Sequence, residues 1–303
     1  MNNYYQKYIK YKNKYLKLKG GEFNKKLQTK IKNEVYENKS PKKNPTFFIT
    51  YGPPASGKGG IMKKVINEEN KNISVIKEKK SDKHIVKVDI DSIISKHPQF
   101  EKERNELLKD KMELLTKKTN VSEKKKIEEI NKKLQDLYMK YRKNAPKNTL
   151  KGDDLSDNIT EEALKRRLDI AWETTGFSVD WTIENTIPMV KQANYKIVVV
   201  YPLVPVKTAN ARAHEREKTT GQTPAPNIKE IAQNAAKNIK KLKTHVDTIY
   251  IYDNSGKIGE EQLLVKYETK KVESVKCLTS NAKSNVKSKF IREVQSMIQE
   301  FCK

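Results

Sequence analysis

Cysteine is almost missing from this 303-residue chain, which has only Cys277 and Cys302. They lie far from each other and from every motif described below. That excludes a disulfide framework and a Cys-based metal site, and it fits a reducing compartment. Long apolar runs are missing too. The longest, around Ile197 to Val204, contains Pro202 and is far too short to cross a bilayer. The opening residues lack the apolar core of a signal peptide, so the chain reads as intracellular and soluble. Apolar residues make up 35% and the mean hydropathy is −0.86, both low for a wholly globular protein. Part of the length is therefore expected in charged helices or tails. Negative charge is scarce: 38 Asp and Glu face 63 Lys and Arg, giving +25 and a pI near 9.7. Such a field draws polyanions, whether nucleic acid, anionic membrane or nucleotide. Lys greatly outnumbers Arg, and a Lys- and Asn-rich compositional bias gives the same balance, so charge alone does not choose among them.

Four segments follow from the patterning. In residues 1–21, Tyr4, Tyr8, Tyr11, Tyr15 and Leu18 recur at spacings of three and four among lysines, and Gly20-Gly21 stops the pattern. This predicts a basic amphipathic helix with an aromatic stripe, suited to a protein groove, an anionic surface or its own domain. The run from Lys7 to Lys19 resembles N-terminal segments of many giant DNA virus proteins. That resemblance implies a virion-addressing element in a protein of the host cytoplasm, cut after the double glycine. Residues 22–45 are Lys- and Asn-rich, with Pro41 and Pro45, and read as a linker. Residues 46–255 carry the globular pattern. Residues 256–303 form a Lys-rich extension to which no function is assigned.

Within 46–255, β-like runs at Thr46–Tyr51, Ile85–Asp89, Ser178–Thr182, Lys196–Tyr201 and Thr248–Tyr252 alternate with helical stretches. Short apolar runs separated by helices predict parallel strands with crossover helices, a three-layer α/β sheet. Asn227 and Glu230 have capping-box spacing ahead of a stripe of Ile228, Ile231, Ala235, Ile239 and Leu242. Residues 100–143 break the alternation. Leu108, Met112 and Leu115 form one stripe, and Ile127, Ile130, Leu134, Leu137 and Tyr141 form a second. This predicts an inserted helical hairpin, an antiparallel arm that binds a partner or packs on itself.

The chemistry centres on Gly52-Pro53-Pro54-Ala55-Ser56-Gly57-Lys58-Gly59-Gly60. A strand runs directly into this segment, and a helix bearing Ile61, Met62, Val65 and Ile66 follows, which is the context a P-loop needs. Glycines let backbone N–H groups converge on phosphate oxygens, and the helix N-terminus adds a positive dipole end. Lys58 is placed to reach the β- and γ-phosphates of ATP. The position after Lys58 ordinarily carries a Ser or Thr hydroxyl for Mg2+; here it is Gly59. Asp89 and Asp91 follow the second strand, which is expected beside the P-loop strand. An Asp there orients Mg2+ through water, accepts a proton from an attacking hydroxyl, or caps the next helix. Asp91 is the favoured functional member of the pair, with N-capping of the next helix as its alternative, and Asp89 is a candidate to hold Mg2+ through water. Arg212 and Arg216 stand four apart on one helix and point the same way, either to neutralise a transferring phosphoryl group or to sit at the surface.

The P-loop, then Asp89-Ile-Asp91 followed after five residues by His97-Pro98, then Arg212-Ala-His-Glu-Arg216, together resemble the zeta toxin family of P-loop kinases. Over roughly residues 46–255 the resemblance implies transfer of phosphate from ATP, with magnesium, to a hydroxyl of UDP-N-acetylglucosamine or a related small molecule. It makes Lys58 the phosphate ligand, Asp91 the general base, and Arg212 and Arg216 part of a segment closing on the phosphates. Asp180 and Thr182 fall where an acidic-x-Thr substrate strand is expected. Gly59, Ile94 and Gln222 depart from the family pattern at the chemistry. A nucleotide-binding scaffold without turnover, and a polynucleotide kinase or nucleic-acid ATPase, are the competing functions.

Overall fold

Helix α1 (Glu22–Tyr36) opens the described chain, followed by β1 (Thr46–Tyr51), α2 (Lys58–Lys71), β2 (Val86–Val88) and the short α3 (Ile90–Ser95). Then come α4 (Pro98–Leu115), α5 (Val121–Arg142), α6 (Gly152–Lys165) and β3 (Ile170–Thr174). After β3, α7 (Val179–Trp181) passes through a π turn, Thr182–Thr186, into α8 (Ile187–Gln192). The chain ends with β4 (Lys196–Leu203), α9 (Val206–Thr220), α10 (Ile228–Asn238), β5 (Thr248–Asp253) and β6 (Gln262–Glu268). This computed structural model describes residues 22–71, 84–116, 121–143, 151–176, 178–257, 259–269 and 301. The helix expected over residues 1–20 lies outside them. None of the described helices is long and apolar enough to cross a membrane.

The elements fall into two units. One holds a six-stranded sheet ordered β2-β3-β1-β4-β5-β6, parallel throughout except for the antiparallel β5–β6 pair. The expected P-loop type α/β fold is present. β1 and β4 are buried almost end to end, as parallel strands covered on both faces must be. Phe48 of β1 packs with Ile61, Met62, Val65 and Ile66 of α2, and with Val198, Val200 and Tyr250. The apolar face of the helix behind the glycine loop is thereby tied to the sheet.

Three readings of this unit need correction. The strand beside β1 on the acidic side is β3, not β2, with Thr50 paired to Glu173 and Tyr51 to Thr174. Ser178–Thr182 is helical: Val179 and Trp181 alternate like a strand, but Val179 is buried and Trp181 is half exposed. Asn227 occupies the N-cap of α10 without a side-chain capping bond, so the capping box does not form. The stripe behind it is as read, with Ile228, Ile231, Ala235, Ile239 and Leu242 all buried.

The other unit holds α1, α3, α4, α5 and the beginning of α6. Part of the expected linker is helical. In α1, Leu27, Ile31 and Tyr36 are buried, and the Tyr36 hydroxyl donates to the Ile159 carbonyl at 2.8 Å. Three apolar contacts spread over ten residues were too sparse to register as a period among lysines. α4 and α5 form the predicted hairpin, and its core of Phe100, Leu137 and Tyr141 includes Ile94 of α3. The arm packs on the short helix that follows Asp89.

Candidate functional site

The loop between β1 and α2 has the backbone of a phosphate cradle. Gly52, Ala55 and Gly57 have φ of 149°, 59° and 81°. The left-handed turn at Ala55 costs a residue with a Cβ about 1 kcal/mol, a strain characteristic of functional loops. Gly57 has no room for a side chain, since a Cβ there would lie 2.3 Å from Asn254 Nδ2. The same amide donates to the Ser56 carbonyl at 2.7 Å and clamps the loop from the carboxyl end of β5. Asn254 is only 2% exposed. Gly57, Gly59 and Gly60 are exposed, so the amides of the α2 N-terminus are open to an anion. Lys58 Nζ donates to the Gly52 and Pro53 carbonyls, both at 3.2 Å. Pro53 is buried and Pro54 half-buried.

The arginine helix belongs to the same place. Ala55 of the loop packs on a cluster containing Ala209 and Ala213, the buried face of α9. Arg212 Nη2 donates to the Gly256 carbonyl at 2.6 Å, two residues beyond the Asn254 clamp. Among the described residues, Arg212 Nη1 and Arg216 Nε are buried without a hydrogen-bond partner. Buried guanidinium donors left unpaired are costly unless an anion completes them. α9 ends at Gly221, whose φ of 69° suits a left-handed cap, and the Gln222 amide donates to Thr220 Oγ1 at 3.3 Å.

The remaining predicted residues divide. Asp180 lies on α7 and is exposed, receiving two bonds from Lys241 Nζ at 2.9 and 3.1 Å. Thr182 is buried, and its hydroxyl donates to the Ser178 carbonyl at 3.2 Å. Neither stands on a strand. Sequence reading missed Glu173, which pairs with Thr50 at the carboxyl end of β3 and is exposed. It also missed Tyr51, whose hydroxyl donates to the Gly176 carbonyl at 2.8 Å. Burial, then Tyr201 and Asp180, push the Tyr51 phenol up, so it remains a donor. Asn254-Ser255-Gly256, a turn directly after an apolar strand, was the available signal for the clamp.

In the other unit, Asp89 is the N-cap of α3. It accepts from the Asp91 and Ser92 amides at 3.2 Å each and from Ser92 Oγ at 2.5 Å. The capping role weighed for Asp91 therefore belongs to Asp89. Asp91 lies in the first turn, exposed, and its Oδ1 accepts from the Tyr138 hydroxyl at 2.7 Å. The described residues include no cluster of three or more His, Cys, Asp or Glu able to hold a metal. Gly59 has no hydroxyl to offer Mg2+, and the Asp89 carboxylate is engaged in capping.

The zeta toxin family model matches residues 133–259. That match covers less than half of the chain. The matched stretch includes α9 and its arginines but not the cradle or Asp91, which lie before it. No curated protein matches the sequence. A structure from the PezAT toxin–antitoxin system of Streptococcus pneumoniae aligns with TM-score 0.54 and 14% identity, over 92% of this chain and 95% of that one. A structure of the AvrRxo1-ORF1:AvrRxo1-ORF2 pair with sulphate ions aligns at TM-score 0.54 and 15% identity, over 85% of this chain and 71% of that one. At these identities, the shared property is the fold.

Proposed function

We propose that this protein binds ATP in the Gly52–Gly60 cradle and transfers the γ-phosphoryl group to a hydroxyl of a small molecule. A nucleotide sugar is the acceptor class that the family resemblance implies. The observation that carries the reading is the union of an open helix N-terminus, Lys58 and two arginines with unpaired buried nitrogens around one loop. Phosphoryl transfer needs little covalent chemistry from a protein, but it needs charge neutralised and the phosphates fixed in place. Exchanging the Gly52 and Pro53 carbonyls for phosphate oxygens would bring Lys58 onto the nucleotide. Arg212 and Arg216 then complete their donors on the transferring group.

Asp91 is the proposed base, accepting the acceptor hydroxyl's proton. Glu173 and Asp180 are the proposed acidic groups on the acceptor side, and Thr182 supports α7 from within. Mg2+ would be held chiefly by the phosphates and water, with Asp89 at most an indirect ligand. The thin donor set favours one alternative, a domain that binds nucleotide and turns it over slowly or not at all.

The test is purified protein with ATP and magnesium, screened against nucleotide sugars by mass spectrometry for a gain of one phosphate. Product is expected from the wild type and absent in Lys58→Ala and Asp91→Asn. ATP binding without product in any reaction would leave the non-catalytic reading. ATP binding unchanged in Lys58→Ala would sink the cradle itself.

A further inference from the structure

The hairpin arm looks dispensable in a kinase, yet it contributes a side chain that bonds the Asp91 carboxylate. α3 is only six residues long and exposes Asp91 on its first turn. Its other face is fixed from several directions. Ile94 is 3% exposed and packs with Phe100, Leu137 and Tyr141, with Ile90, Leu107 and Tyr138 against the cluster. Gly152 abuts Ile94 so closely that a Cβ there would lie 2.6 Å from it. From the arm, Tyr138 reaches Asp91 Oδ1 at 2.7 Å. The Arg142 guanidinium lies 5.8 Å from the Tyr138 ring centroid, and Arg142 Nε bonds Asp153 at 2.9 Å. A chain of Asp153, Arg142, Tyr138 and Asp91 thus runs from α6 through α5 to α3. Burial and the Asp91 carboxylate push the Tyr138 phenol up, so the proton stays on tyrosine and the bond has one direction.

We propose that Tyr138 is a positioning residue for Asp91, and that the arm serves to hold the base. A carboxylate on an exposed first turn samples several rotamers. One donated hydrogen bond to Oδ1 fixes the carboxylate plane and leaves Oδ2 free to accept the proton of the substrate hydroxyl. Tyr138 touches neither substrate nor phosphate and works only through Asp91. The proposal rests on Asp91 being the base and gives it a partner that the hairpin pattern alone did not reveal.

The experiment measures ADP release by the full chain with ATP, magnesium and UDP-N-acetylglucosamine as probe, for wild type, Y138F, D91N, the double variant and Y141F. Y138F removes only the hydroxyl. It is expected to lower kcat about tenfold, the worth of one hydrogen bond to a charged group, while KM for ATP stays within about twofold. In the D91N background the same change should cost nothing further, because the group it positions is gone. Y141F loses a hydroxyl from the same core, where Tyr141 bonds Glu103 at 3.3 Å instead, and should leave kcat unchanged. The proposal is overturned if Y138F keeps wild-type kcat, if its loss is as large in D91N, or if Y141F matches it. Wild-type release no faster than that of K58A, or turnover that survives D91N, would bring down the kinase or base reading and this proposal with it.

Discussion

At Gly59 the chain gives up a hydroxyl without a steric reason, since a Cβ there would have nothing within 4 Å. Thr fits the space, and replacing glycine in a helix gains a few tenths of a kcal/mol. Gly59→Thr is therefore expected to keep or raise the melting temperature and to speed magnesium-dependent ADP release about tenfold or more. Unchanged release would mean that the missing ligand does not limit turnover. Asn254 is the opposite case, a residue with no spare room and a single task. Asn254→Ala removes the 2.7 Å clamp on Ser56 and should weaken ATP binding about tenfold while the protein stays folded. Calorimetric titration at a temperature well below melting checks it, and a drop in melting temperature with unaltered affinity would make Asn254 merely structural.

Between residue and molecule, the junction of α3 and α4 holds a buried histidine. His97 is 4% exposed, packs against Tyr141 at a 4.8 Å centroid distance with the rings tilted by 60°, and among the described residues neither ring nitrogen has a hydrogen-bond partner. Burial lowers its pKa below the ordinary 6.5, while Glu103 raises it and Lys140 lowers it. The unfolded chain then binds a proton more readily than the folded one. Stability is whole above the ordinary value and is lost as pH falls through the folded one. His97→Phe keeps an aromatic ring against Tyr141 and removes the titration. Urea unfolding at pH 7.5 and 5.5 should show wild type losing more stability than the variant, and equal losses would exclude His97 as the source. The arm is an element whose existence was legible in its two apolar stripes. Its use was not, because no spacing within residues 100–143 discloses that Tyr138 meets a carboxylate 47 residues earlier.

For the whole molecule, the excess of 63 basic over 38 acidic residues predicts association with any polyanion, whatever the domain catalyses. Binding to a duplex DNA of random sequence should fall steeply, by about a hundredfold or more, between 50 and 200 mM salt. It should not respond to sequence or to Lys58→Ala. Salt-insensitive or sequence-selective binding would revive the nucleic-acid enzyme reading.

The glycine loop, its flanking strand and helix, the arginine pair and the hairpin were all readable because each is written within a few neighbouring residues, where backbone period and loop chemistry act locally. Strand order, the helical state of Ser178–Thr182 and the capping role of Asp89 were decided by tertiary structure. So were the Asn254 clamp and the bond from Tyr138 to Asp91. Each depends on which distant segment lies alongside. β3 rather than β2 flanks β1 because sheet order comes from packing the whole set of strands. A three-residue alternation such as Val179-Asp180-Trp181 fits strand and helix equally until the sheet is complete without it.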